Sequence, residues 1–144
     1  MSADKANAWI HKAENDLLSA DNNLASAKVP FDVVCYHSQQ AAEKCLKALL
    51  VYLGVQPPRI HDLLAILQEV HRYLTTPAPA NIENSCVVLN PYAVEVRYPD
   101  DESNPTLEDS KEARQAAETV RQWVRGLIPA KPWNETTVGP SESN

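Results

Sequence analysis

Apolar positions recur along most of this chain at steps of three and four. In the first stretch, Trp9 and Ile10 are followed by Ala13, Leu17, Ala20 and Leu24, the pattern of an amphipathic helix resting on a core. A helix over about residues 4–27 is predicted. KVPFD ends it, because Pro30 lacks an amide hydrogen and restrains Val29 away from helical angles; Asp32 is placed to cap the next helix. That second helix, predicted over about 33–53, sets Val34, Ser38, Ala41, Cys45, Ala48, Leu49 and Tyr52 in one stripe and stops at Gly54, a residue suited to the left-handed turn that closes helices. After VQPPR, the stretch HDLLAILQEVHRYL repeats Leu63, Leu67, Val70 and Leu74 along a third helix. TTPAPA closes that helix and opens a fourth element over about 81–89.

NPYAVEVRYPDDESNP loses helical periodicity, contains three prolines and is acidic at its end, which predicts an ordered crossing followed by an exposed loop. Thr106 and Asp109 have capping-box spacing, with Asp where Glu or Gln is preferred. Ala113, Ala117, Val120, Val124 and Leu127 then mark a last helix to about Ile128. From Pro129 onward the chain is rich in Pro, Ser and Thr, with one isolated Trp133, and is expected to be mobile. The prediction is therefore one domain over residues 1–128, an all-α antiparallel up-and-down bundle of about five helices, with a flexible tail over 129–144.

Composition agrees with that pattern. Three glycines and one Phe in 144 residues, against many Ala, Leu, Glu and Lys, favour helices. A net charge of -6 gives no general attraction to nucleic acid or anionic membranes, so any anion site must be a local cluster. Cys35, Cys45 and Cys86 form no CxxC pair, and the first two are about 15 Å apart along one helix. Neither a disulfide framework nor a zinc site is indicated, which fits a reducing cytoplasm. The N-terminus has charges throughout and no apolar run approaches membrane-spanning length, so a soluble, unexported protein without a membrane partner is expected. Small residues on helix two leave room for a second chain to pack there, which suggests a homodimer.

Several polar stretches occur together in a fixed order: AENDLLSA in helix one, HSQQAAEKCLKALLVYLG in helix two, HDLLAIL opening helix three, and LNPYAVEVRYPD before helix five. In that combination the chain resembles the HEPN domains of prokaryotes over about residues 4–128. The resemblance implies a helical bundle, commonly a homodimer, and often a minimal nucleotidyltransferase protein with which it forms a toxin and antitoxin pair. Some members are metal-independent ribonucleases that carry an Arg, four to six residues, and then a His at the dimer cleft. Here the histidines are His11, His37, His61 and His71, and the only Arg before any of them is Arg59, with one and eleven residues intervening before His61 and His71. That motif is absent, and the resemblance points instead to the non-catalytic or nucleotide-binding members.

The candidate binding residues fall in three clusters. On helix two, His37, Gln40, Lys44 and Lys47 share adjacent faces beside the apolar stripe. They can face a cleft that admits a phosphate or a partner, or Glu43 and Lys47 can form an ordinary pair worth about 0.2 to 0.5 kcal/mol. At the start of helix three, Arg59 and His61 can join free helix amides in an anion site, or Asp62 can simply cap the helix. In YAVEVRYPD, Arg97 can brace the fold through Asp100 or Asp101, or can point with the lysines into one cleft where Tyr92 or Tyr98 stacks on a base. No Gly-rich phosphate loop and no HExxH are present, so no cofactor and no metal are expected. Adjacent Ser38 and His37 point in different directions on a helix, which argues against a nucleophile and base. Three readings remain: a homodimer that binds a nucleotidyltransferase, a nucleotide or RNA; a ribonuclease with a displaced site using His61 with Arg59 or Arg97; or a purely structural interaction module.

Overall fold

The computed structural model describes residues 2–94, Pro99 and residues 104–130. Among these residues there are five α-helices and no strand: α1 (Ser2–Leu24), α2 (Phe31–Tyr52), α3 (Leu63–His71), α4 (Ala80–Leu89) and α5 (Leu107–Leu127), with a short 3-10 turn at Asn90–Tyr92. The all-α bundle expected from periodicity is what the chain forms. The predicted tail beyond Ala130 lies outside the described residues.

Local chemistry explains where the helices begin and end. α1 stops at Leu24 instead of continuing to residue 27, because the chain tightens into a turn in which the Ser26 amide donates to the Asn23 carbonyl and the Ser26 hydroxyl to the Lys28 carbonyl. α2 starts two residues earlier than predicted. Its N-cap is Pro30, which has no polar side chain to offer the first amides, and Asp32 sits inside the first turn, accepting from the Val33 amide. At the other end Gly54 takes φ +82°. The Val55 amide reaches back to the Leu50 carbonyl at 2.9 Å and the Gly54 amide to Val51 at 3.0 Å, a Schellman closure that depends on the glycine. α3 is shorter than its sequence pattern: Arg72 and Tyr73 bond back only three residues, to Glu69 and Val70, and the Ala78 amide donates to His71 Nε2. α5 opens with the full capping box; the Thr106 hydroxyl accepts from the Asp109 amide at 3.2 Å and the Asp109 carboxylate from the Thr106 amide at 2.9 Å. The shorter Asp closes the box as Glu would.

α2 is the centre of the bundle. The apolar stripe predicted on one face is correct but incomplete, because Cys35, Ala42, Leu46 and Leu50 on the other sides are buried as well. α1 covers one side with Ala6, Ile10, Ala13 and Leu17, while α5 brings Ala113, Ala117, Val120 and Val124 into the same core. The small residues Ser38, Ala41, Cys45 and Ala48 are therefore closed off within one chain, and the expected room for a second chain at that place does not exist. Trp9 and Trp123 pack against the core from its edge, half-buried.

α1 and α5 are joined along their length by charged and polar pairs. Asn7 meets Arg125, Glu14 meets Arg121, and Asp21 meets Arg114 through two bonds of 2.7 and 3.0 Å. The numbers rise on one helix as they fall on the other, so the two helices are antiparallel. Asp21 and then Glu118 hold the Arg114 guanidinium above its ordinary value. At the end of α5 the Asn7 side chain donates to the Pro129 carbonyl.

The three cysteines are free and buried. Burial pushes the Cys45 and Cys86 thiols up to about 12, so thiolate is scarce at neutral pH. Both thiols, and buried Cys35, are expected to resist an aromatic disulfide reagent at about pH 8 in native protein and to react on addition of guanidinium. Stoichiometric labelling without denaturant, followed by absorbance, would contradict this packing.

Candidate functional site

Although α2 is covered on most sides, a strip along it stays open. Val33, Tyr36, His37, Gln40, Lys44 and Val51 are half-buried, whereas the other residues between Val33 and Val51 are buried, and these half-buried positions fall on one side of the helix. Two polar networks meet along this strip.

The first is built around Glu43. Its side chain is 7% exposed, as a carboxylate rarely is without partners. Glu43 Oε2 accepts from Lys47 Nζ at 3.0 Å, and Lys47 is itself 9% exposed. Glu43 Oε1 lies 3.0 Å from His61 Nδ1 and 3.3 Å from Gln39 Nε2. Gln39, fully buried, also donates to the His61 carbonyl at 3.2 Å and accepts from Gln40 at 2.8 Å. A carboxylate only accepts, so His61 Nδ1 carries the hydrogen and its Nε2 faces outward. The imidazole is 67% exposed while the group that orients it is buried.

The second network crosses from α1 to α2. Asp16, 12% exposed, accepts from Lys44 Nζ at 2.5 Å through one oxygen and holds His37 Nδ1 at 2.9 Å with the other. His37 also meets the Tyr36 ring edge to face. Both histidines of the strip are thus held at Nδ1 by a carboxylate with a lysine on it.

The start of α3 is arranged differently from the anion site that the sequence allows. The Asp62 carboxylate accepts from the Leu64 and Ala65 amides, and the Asn90 side chain accepts from the Leu63 amide while donating to Asp62 at 2.9 Å. The helix-start amides are occupied, so they are not available to a phosphate. The Asn90 amide first, then the Ala65 and Leu64 amides, hold the Asp62 carboxyl below its ordinary value. Arg59 is exposed and makes no ion pair with a described residue. Tyr92 is half-buried and packs against the core from the 3-10 turn. Arg97 and Tyr98 lie outside the described residues.

His37, Gln40, Lys44, Lys47 and His61 therefore gather along one strip, with Lys44 and Lys47 engaged in pairs. Asp16 and Asn90 were not distinguishable from ordinary surface residues by spacing, because the side chains they bond lie 21 to 28 residues away in the chain. Among the described residues no buried side-chain nitrogen or oxygen lacks a partner, and no cluster of three or more His, Cys, Asp or Glu could hold a metal. No helix among them is long and apolar enough to cross a membrane.

Residues 6–127 match the family model of the HEPN domain. The chain belongs to the HEPN domain family. A similar solved structure is the crystal structure of TT1696 from Thermus thermophilus, 26% identical, with a TM-score of 0.72 over 85% of this chain and 97% of that one. No curated protein matches the chain significantly.

Removing Glu43 leaves the Lys47 ammonium buried without its partner. Glu43→Gln is expected to cost about 3 to 5 kcal/mol in denaturant unfolding. Glu43→Gln combined with Lys47→Met is expected to recover most of that loss, and equal destabilisation by single and double variants would contradict the pairing. Asp62→Ala removes the cap of α3 and is expected to cost about 1 kcal/mol at pH 7. Because the folded carboxyl is lowered, its contribution is present above the unfolded value near 4 and is lost as pH falls through the folded value. The difference between wild type and variant should shrink below about pH 4, and a difference that grows in acid would refute the assignment.

Proposed function

We propose that this HEPN domain acts by association, as a homodimer that binds a minimal nucleotidyltransferase protein in a toxin and antitoxin pair in the cytoplasm. In this reading the open strip of α2 receives the phosphate of a nucleotide or RNA, with Lys44, Lys47, Arg59, His61 and Arg97 as its basic residues. The observation that carries it is the exposed His61 imidazole, oriented from inside by buried Glu43, two positions from an exposed Arg59 that pairs with no described residue. Guanidinium groups suit bidentate phosphate contact. The lack of Arg with a His four to six residues on supports binding over catalysis, and three buried free thiols fit a reducing compartment.

The test is thermal unfolding with each common nucleoside triphosphate. Ligand at about 100 times its dissociation constant adds about 2.7 kcal/mol and raises the midpoint by several degrees. A rise with one nucleotide that disappears in Arg59→Ala or Arg97→Ala, with ligand-free stability unchanged, is expected. No rise with any nucleotide would remove the nucleotide part of the proposal, and a monomer by sedimentation would remove the dimer.

The Glu43 and His61 pair also favours a second reading, a metal-independent ribonuclease with a displaced site. A carboxylate on Nδ1 fixes the tautomer that leaves Nε2 free to take a proton, with Arg59 or Arg97 as the phosphate cation. Cleavage of a mixed RNA pool in the presence of a chelator, lost in His61→Ala, is the expected result; an intact pool at micromolar protein would dismiss it.

A further inference from the structure

We infer that the phosphate-facing strip of α2 continues onto α1, and that its occupant is a single strand of nucleic acid longer than one nucleotide. The inference rests on the proposed reading of the α2 strip and adds its extent and the class of polyanion.

Lys5, Trp9, Lys12 and Asp16 follow one another on α1 at steps of four, three and four, so they share one flank of the helix. Asp16 bonds to His37 and Lys44, which places that flank along the open strip of α2. Lys5 and Lys12 are both exposed, and neither makes an ion pair with a described residue. The opposite flank of α1 contrasts with this: Glu14 and Asp21 there meet Arg121, Arg125 and Arg114 of α5. One flank is neutralised group by group. The other carries Lys5, Lys12, Lys44 and the His37 imidazole with one carboxylate, Asp16, which bonds only the last two, a local positive excess in a chain of net charge -6.

The spread of these cations selects a strand over a single nucleotide. Lys5 and Lys12 are seven residues apart, about 10 Å along the helix, and Asp16 with its bound Lys44 lies about 6 Å farther on. One phosphate cannot meet all three, whereas successive phosphates of a strand can. Trp9 stands between the two lysines with part of its ring uncovered, and such a surface stacks bases regardless of sequence. An anionic membrane fits less well, because surface-bound helices set a broad apolar face against lipid and Trp9 is the one large apolar residue in the Lys5 to Asp16 series.

The experiment measures anisotropy of a fluorescein-labelled 12-mer of uridylate with the full chain at 50 and 200 mM salt, beside the thermal shift given by uridine triphosphate. Two to three phosphate contacts lower affinity about 7- to 20-fold between those salts, since each contributes about 0.7 to the logarithmic slope. The Lys5→Gln/Lys12→Gln variant is expected to bind the 12-mer at least tenfold more weakly at 50 mM salt, with the slope reduced by about 1.4, and to keep the wild-type thermal shift with the mononucleotide. Unchanged 12-mer affinity in that variant overturns the extension onto α1 and leaves the α2 reading standing. Wild-type protein that binds neither the 12-mer nor the triphosphate overturns both. Binding to phosphatidylserine vesicles without binding to the 12-mer overturns the choice of occupant.

Discussion

The buried pair of Glu43 and Lys47 constrains much of the surrounding structure. A carboxylate taken out of water needs partners on both oxygens, and α2 alone supplies only Lys47 and Gln39. The remaining demand is met from outside the helix by His61, which fixes where the chain re-enters after Gly54. Once His61 is held, Asp62 stands at the head of α3, and Asn90 can bridge the cap to the end of α4. A single desolvated charge thus ties three helices to one another. Removing one partner of such a pair is costly, yet replacing both is often neutral, so its value lies more in specifying an arrangement than in net stabilisation.

The helices were legible because their cues are local. Apolar residues at helical spacing, a glycine after α2 and a Thr and Asp three apart before α5 each carry their own physics, and each appears where expected. The position of α2 was less legible, since a stripe on one face cannot reveal that α5 will cover another. The same limitation led to the expectation of a second chain against Ser38, Ala41 and Cys45, which α1 and α5 fill instead. At the candidate site, the basic and polar residues of α2 were visible as a group, but their partners were not. Asp16 lies 21 residues from His37 and Asn90 lies 28 from Asp62, and nothing in local periodicity connects such distant positions.

The stretches that carry the family resemblance turn out to be the stretches that bond to one another. AENDLLSA contributes Asp16, HSQQAAEK contributes His37, Gln39, Glu43 and Lys44, HDL contributes His61 and Asp62, and LNPY contributes Asn90. Much of what marks the family in this chain is therefore structural wiring. A fold does not by itself confer an activity; what distinguishes this chain chemically is what the wiring leaves facing outward among the described residues, namely an oriented imidazole, the Arg59 guanidinium and a row of lysines.

The antiparallel seam between α1 and α5 has a mechanical side. Asn7 bonds to Arg125 and to the Pro129 carbonyl, so residues 2 and 130 leave the bundle at the same pole. A force drawing those two points apart does not shear the helices along each other. It opens the seam from that pole, loading Asn7 and Arg125 first, then Glu14 and Arg121, and Asp21 and Arg114 last. Pairs met one at a time yield at lower force than the same pairs loaded together, so under tension the seam opens pair by pair from that pole.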